Sequence, residues 1–153
     1  MLTDDMKRVV MEQRLGFVAT VNADGTPNLS PKATFVVLDD THLAYGDLRS
    51  PRTAENIANG SALEVNFVDP FSRKGYRFRG RATILARDTP EFAALVAQFG
   101  AWTTLVGRMR SVVKIRIERA LPLVSPAYDI GTTEEELRQT WRAHYARLNG
   151  ATE

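Results

Sequence analysis

The stretch LAYGDLRSPRTAENI, residues 43–57, changes its period in the middle. His42 to Gly46 reads as a strand. Pro51 to Asn59 reads as a helix that Asn59-Gly60 stops. Ser50-Pro51 supplies a cap residue followed by proline at the first helical position, where its missing N–H does no harm. A capping box would need Glu or Gln three residues after Ser50, but Thr53 stands there. The N–H groups of the first turn are therefore not answered by a local carboxylate. Arg52 lies in the same turn, where the helix dipole disfavours a cation by roughly 0.3–1 kcal/mol. An external anion would account for both features. The hydroxyls of Ser50 and Thr53, the guanidinium of Arg52 and the free N–H groups together suit a phosphate. The same residues also suit a plain N-cap with an exposed arginine, and the pattern alone does not choose.

Working outward, residues 3–13 read as a helix, with Thr3 as cap and Asp4 and Asp5 in the first turn. Leu15, Phe17, Ala19 and Val21 then alternate with Gly16, Val18, Thr20 and Asn22, the period of a strand. ADG at 23–25 is a hairpin signal, and a second strand is expected from about Asn28 to Leu38. DDT at 39–41 turns the chain into the third strand, His42 to Gly46. SALEVNFV at 61–68 is a fourth strand, Tyr76 to Ala86 a fifth and Ser111 to Val124 a sixth. Thr89-Pro90 starts a helix that runs to about Phe99. TTEEELRQTWRAHYARL closes the chain as a helix over about 133–148, capped by Thr132 or Thr133. GAWTTLVGRMR, residues 100–110, has no clear period. The expected fold class is mostly β with flanking helices: one domain over 1–153, built as a six-stranded antiparallel barrel.

Bulk composition agrees with a globular domain. The chain has 153 residues, 44% hydrophobic and 25% charged, and no cysteine. Thiol catalysis, thiolate metal sites and disulfides are thereby excluded. No run approaches the roughly 20 apolar residues of a membrane span. MLTDDMKRVV lacks the apolar core of a signal peptide, so a cytoplasmic location is expected. Of the 20 cationic side chains four are lysines (Lys7, Lys32, Lys74, Lys114) and 16 are arginines. Arginine binds phosphate and carboxylate with a planar fork, although codon bias also explains such usage.

The ordered set FVATVNADGTPNLSPKATFVVLDDTHLAYGDLRSPRTAENIANGSALEVNFVDPFSRKGYRFRGRA resembles the pyridoxamine-phosphate oxidase-like FMN-binding split-barrel superfamily, from about Leu15 to Ala86. The resemblance rests on the acidic-Gly hairpin, the PNLSPK strand, the strand–turn–helix element and the YRFRGRA strand ending near Gly80. It implies a split barrel that forms a homodimer, with FMN in a cleft between the subunits. It assigns the flavin phosphate to Ser50, Arg52 and Thr53. Many members carry Ser-x-Lys at this turn; Ser50-Pro51-Arg52 keeps the charge. The resemblance lays Ser30, Pro31, Lys32, Ala33 and Thr34 along the isoalloxazine ring, and Tyr45, Gly46 and Asp47 beside the ribityl chain or ring. Pro31 within a strand points to a gap or an edge for its missing N–H. Lys32 would supply positive charge near the ring carbonyls; an exposed strand lysine is the alternative. Asn28 and Asn56 are supporting donors. Tyr128 and Trp102 are packing residues, with a reach into the flavin cleft as the alternative.

The C-terminal segment is not expected to supply the grip on substrate phosphate that an Arg-x-His type motif gives true pyridoxamine-phosphate oxidases. The resemblance therefore implies a flavin, quinone or nitro-compound reductase fed by NAD(P)H and acting on a small molecule, rather than vitamin B6 oxidation. A non-catalytic flavin carrier or sensor, and a member using F420, are the alternatives. The rest of the sequence carries no competing chemistry. His42 and His144 have no companions at metal or triad spacing, and no serine has a histidine nearby to act as base. Arg77, Arg79 and Arg81 share one strand face, where Glu64 and Glu118 could pair with them. That face reads as a salt-bridged ladder, solvated or facing the partner, with anion binding as the alternative. Partners on the nucleic-acid or membrane side are not expected.

Overall fold

Two residues, Ala33-Thr34, decide how the sheet closes. In the computed structural model, which describes residues 1–150, seven antiparallel strands form one sheet in the order β2-β1-β5-β6-β7-β4-β3. The strands are β1 Gly16–Val21, β2 Pro27–Lys32, β3 Phe35–Val37, β4 His42–Asp47, β5 Leu63–Asp69, β6 Lys74–Ala86 and β7 Ser111–Val124. β2 and β3 lie at opposite edges of this sheet yet are joined by only two residues. Such a joint spans at most about 10 Å, so the two edges meet and the sheet rolls into a barrel. The seam is bridged by the chain and carries no ladder between β2 and β3.

This corrects the single strand expected from Asn28 to Leu38, and with it the count of six. The first half of that run pairs with β1, Lys32 opposite Gly16 and Pro31 opposite Phe17. The second half pairs with β4, Phe35 opposite Tyr45. Between them the Thr34 hydroxyl donates to the Gly46 carbonyl at 2.7 Å, which pulls the chain from one partner to the other. Pro27 and Pro31 both fall on β2, an edge strand, where a missing donor costs no ladder bond.

The inward face of the barrel holds Val18, Leu43, Tyr45, Val65, Phe67, Phe78, Val113 and Ile115. α1 (Asp4–Gln13), capped by Thr3 through the Met6 N–H at 3.3 Å, brings Val9 and Val10 into this core. In β1 the residues facing in are Gly16, Val18 and Thr20; Phe17 and Val21 face out, 43% and 52% exposed. β6 and β7 are the long pair, with a bulge at Arg79/Gly80. Gly80 is needed there because a Cβ would stand 2.2 Å from the Arg116 carbonyl oxygen. On the outer side a second core forms from Val36, Ala44, Phe92, Phe99, Met109 and Val112. α3 (Pro90–Val96), a 3-10 turn at Gly100–Trp102 and α4 (Thr103–Val106) cover it. The segment 100–110 is thus a lid over β4 and β7, and Trp102 packs within it under the Arg14 guanidinium.

α2 (Pro51–Ala58) and α5 (Glu134–Leu148) complete the fold. Thr133 and Glu136 form the capping box of α5. Glu64 pairs with Arg77 at 3.5 Å and Arg79 at 3.0 Å, and Glu118 with Arg81 at 3.7 Å. The expected ladder exists, although Arg79 faces Arg119 and Arg81 faces Arg116 across the β6–β7 register.

Candidate functional site

The sequence-nominated residues come together at the barrel mouth beside the β2–β3 joint, in two groups. The first lines a cleft of about 180 Å³ formed by Pro31, Lys32, Ala33 and Thr34 on one side and Gly46 and Asp47 on the other. Lys32 is 8% exposed, so the reading as a solvent-exposed strand lysine is overturned. Its ammonium donates to the Ser30 hydroxyl and, at 3.3 Å, to the Pro31 carbonyl, and lies 5.8 Å from the centre of the Tyr45 ring. Among the described residues no carboxylate is within salt-bridge distance of it. Burial lowers its pKa, and the charge of Asp47 only partly opposes that. Tyr45 is the floor beneath Lys32 and is part of the barrel core. Burial first, then the Asp47 charge, raises its phenol pKa, so it stays neutral. Gly46 lets the lid approach: a Cβ there would stand 2.4 Å from Met109 Sδ.

Three residues that sequence reasoning did not nominate also line this cleft, Leu48, Arg49 and Leu105. Arg49 precedes the nominated turn by one residue and is exposed, with no ion pair among the described residues. Leu105 comes from α4, and no local signal places it there. Its segment is held by Arg87, which donates to the carbonyls of Val106 at 3.1 Å and Met109 at 2.7 Å, and by the Arg110 N–H on the Asp47 carbonyl at 2.8 Å.

The second group belongs to the start of α2. Ser50 is the N-cap residue, but its hydroxyl makes no cap bond and instead donates to the Asp47 carboxylate. The first-turn N–H groups are therefore left without a side-chain acceptor, as the sequence pattern predicts. Arg52 is exposed and pairs with Glu55 at 3.3 Å. It lines a shallow hollow with Asn22, Ala23 and Asp24 of the β1–β2 turn. The Asp24 carboxyl is held below its usual range chiefly by the Thr26 hydroxyl and N–H, with Arg52 adding a smaller effect.

Thr53 is buried and tied into a polar network. Asn28 Nδ2 donates to the hydroxyls of Thr20 and Thr53, each at 3.0 Å. Asn56 Nδ2 donates to Thr20 Oγ1 and to Asn22 Oδ1, each at 2.9 Å. This network fixes α2 against β1 and β2, and so aims the helix start at the barrel mouth. The remaining candidates lie elsewhere. Tyr128 donates to the Ser72 carbonyl at 2.7 Å, His42 Nδ1 sits 3.0 Å from Asp39, and His144 packs on Trp141.

Lys32 and Arg49 line the cleft against a single buried carboxylate, Asp47, while Arg52 lines the separate hollow at the β1–β2 turn. The donor set suits an anionic group, and the narrow slot between the β2–β3 joint and β4 suits a flat one.

A family model described as pyridoxamine 5'-phosphate oxidase matches residues 2–123, and the chain belongs to that family. HupZ of Group A Streptococcus is 33% identical with a TM-score of 0.72, over 82% of this chain and 96% of that one. A Lactobacillus delbrueckii protein, provisionally a pyridoxamine 5'-phosphate oxidase, is 27% identical with a TM-score of 0.66, over 78% and 93%. An FMN-binding protein of Syntrophomonas wolfei shares the fold at 10% identity and a TM-score of 0.65, over 78% and 84%. The same fold occurs in an F420 reductase at 17% identity and TM-score 0.60. It also occurs in HutZ, the heme storage protein of Vibrio cholerae, at 20% and 0.58. None of the curated proteins matches the chain. Among the described residues no helix is long and apolar enough to cross a membrane.

Proposed function

We propose that this chain is an FMN-dependent oxidoreductase of the flavin-, quinone- or nitro-reductase type, working as a homodimer with NAD(P)H as donor. The observation that carries the reading is Lys32: an ammonium buried at the barrel mouth with no carboxylate partner, beside an uncapped helix start flanked by Arg49 and Arg52. A buried cation left without an acid is costly unless an anion answers it. Bound FMN would supply a ring that takes up and passes on a hydride. In this reading the α2 N–H groups, Ser50, Arg52 and Thr53 hold the phosphate end, with Arg49 adding charge. Lys32 donates toward the ring carbonyls. Ser30, Pro31, Ala33 and Thr34 present one wall, with Gly46 and Asp47 opposite above the Tyr45 ring. Leu105 excludes water from the side of the lid.

The homodimer is supported by size and by surface. A cleft of about 180 Å³ in one chain is smaller than the roughly 300–1,000 Å³ of sites that enclose a ligand, so a second subunit would complete it. Val21 and Leu29 are 52% and 64% exposed on the outer β1–β2 face, a surface suited to burial against another copy. Neither His42 nor His144 lines the cleft, so it offers no imidazole of the kind a heme would take. Arg142-Ala143-His144 has the Arg-x-His spacing, but it lies on α5, with His144 packed on Trp141 and neither side chain lining the cleft, which argues against pyridoxamine phosphate as substrate.

The test begins with titrating FMN into purified protein while following flavin fluorescence and sedimentation. Saturable binding to a dimer, followed by anaerobic bleaching on NADPH, is expected. Binding without bleaching under any donor would make it a carrier. Binding of F420 in place of FMN would assign it to that cofactor.

A further inference from the structure

We propose that the space between α5 and the outer face of β1 and β5 is a binding site for an uncharged, largely apolar aromatic small molecule. The cavity measures about 520 Å³, within the range of small-molecule sites. Leu15 and Phe17 form one wall, Val68, Pro70 and Phe71 a second, and Tyr145 of α5 a third. Among the described residues no charged side chain lines it. The polar groups at its edge are the amides of Gln13 and Asn149, which can give or accept a hydrogen bond but cannot neutralise an ion.

The space exists because α5 is propped away from the sheet. Every strong tie of the helix goes to residues 69–74. Arg138 meets Asp69 at 2.8 Å and Glu134 meets Lys74 at 2.8 Å. The Arg73 guanidinium stacks 3.4 Å over Trp141, from a backbone held at φ 56°. Tyr145 meets Phe71 edge to face at 5.6 Å. The apolar stripe Leu137, Trp141, Tyr145, Leu148 has helical spacing, yet it runs off the fold: Leu137 is 8% exposed and Leu148 68%. Phe17 and Val68, at 43% and 41%, therefore face a gap that the helix could otherwise have filled. Apolar walls around a gap gain about 25 cal/mol per Å² when an occupant removes them from water. Ring edges and faces from Phe17, Phe71 and Tyr145 favour an aromatic occupant. A three-walled pocket of this size fits one small molecule better than the flat face of a protein.

α5, which supplies the third wall, lies outside residues 2–123, the part matched by the family model. Phe17 stands opposite Pro31 in the β1–β2 register, and Pro31 lines the candidate flavin cleft. That the bound molecule is also the compound reduced rests on the oxidoreductase reading above; its binding does not.

The experiment uses the full chain without added flavin and 1,4-naphthoquinone as probe, read by quenching of tryptophan fluorescence. Trp141 lies 6.3 Å from Tyr145, and the absence of cysteine removes thiol addition to the quinone. Saturable quenching is expected. Val68→Arg, at a half-exposed position, is expected to weaken it about tenfold or more by placing a charge in the apolar wall, and Tyr145→Phe to leave it within about twofold, since the ring is retained. The 1,4-naphthoquinone-2-sulfonate anion is expected to bind about tenfold more weakly or worse, because nothing in the wall answers its charge. Equal binding by the Val68→Arg variant and the parent, equal binding of the sulfonate, or no saturation overturns the proposal. It is also overturned if the parent fails to saturate and Val68→Arg converts a dimer to a monomer, which would make a second copy the occupant. FMN titration of Val68→Arg separates the two hypotheses, because loss of naphthoquinone with FMN binding intact concerns this cavity alone.

Discussion

Replacing Lys32 by Met removes a charge while keeping an unbranched side chain of similar length, and its consequences for binding and for stability have opposite signs. If the ammonium donates to bound FMN, the variant loses a charged hydrogen bond of about 1.5–3 kcal/mol. That is a weakening of FMN binding of roughly tenfold to 150-fold, measurable by fluorescence titration at fixed ionic strength. The flavin-free protein, by contrast, is relieved of a buried ammonium whose partners are one hydroxyl and one carbonyl. Its melting temperature is expected to stay the same or rise. The pH dependence supplies a third readout. Burial puts the folded pKa of Lys32 below the 10.5 of the unfolded chain, so just below pH 10.5 the unfolded chain holds more protons. Lys32 therefore makes the parent gain stability as pH rises through that window, and the Met variant should lack that share of the rise. A variant that binds FMN as tightly as the parent, or that melts several degrees lower without flavin, would refute the reasoning.

Arg52→Ala should weaken FMN by about 1.5–3 kcal/mol, with little change in melting temperature because its pair with Glu55 is exposed and worth little; unchanged FMN affinity by titration would remove Arg52 from the phosphate site. Thr20→Val takes one acceptor from both Asn28 and Asn56. We expect a loss of about 2 kcal/mol, or roughly 4–8 °C by calorimetry, and a looser α2. Asp39 tests the β3–β4 turn. Although burial opposes it, the Thr41 N–H, the His42 ring and the Thr41 hydroxyl together hold the Asp39 carboxyl at about 2, against 3.8 unfolded. The stabilisation this gives is complete above the unfolded value and is lost as pH falls through the folded one. Asp39→Ala should therefore lower the melting temperature at pH 7 more than at pH 2, and equal losses at both would contradict the assignment.

Several parts of the fold are legible in the residues themselves. Thr3, Thr89 and Thr133 each cap the helix that the pattern starts there. Ser50-Pro51 opens α2 with its first turn free of a local carboxylate. Glu64 and Glu118 do pair with the arginine ladder. The site is legible only through the ordered family resemblance, and the structure divides it. Lys32, Gly46 and Asp47 line the cleft, whereas Thr53 is committed to Asn28 and Arg52 to Glu55. Arg49 escapes a sequence reading although it adjoins the turn, because an exposed arginine beside a cap carries no distinguishing pattern. Leu105 escapes it because its segment has no period, its place being set by Arg87 and by the packing of Met109 on Gly46.

Caps, hairpin signals and strand periods depend on residues within a turn or two of each other, so the sequence alone determined where most helices and strands begin. It also shows no thiol and no paired histidine, so no residue pattern in it nominates redox chemistry of its own. Only the tertiary structure decided that the run from Asn28 to Leu38 breaks at Ala33-Thr34, that Phe17 faces out while Gly16 and Val18 face in, and that α5 stands clear of the barrel. Each of these depends on which distant strand or loop wins the pairing. That competition is settled by the packing of the whole barrel, which no local stretch of sequence contains.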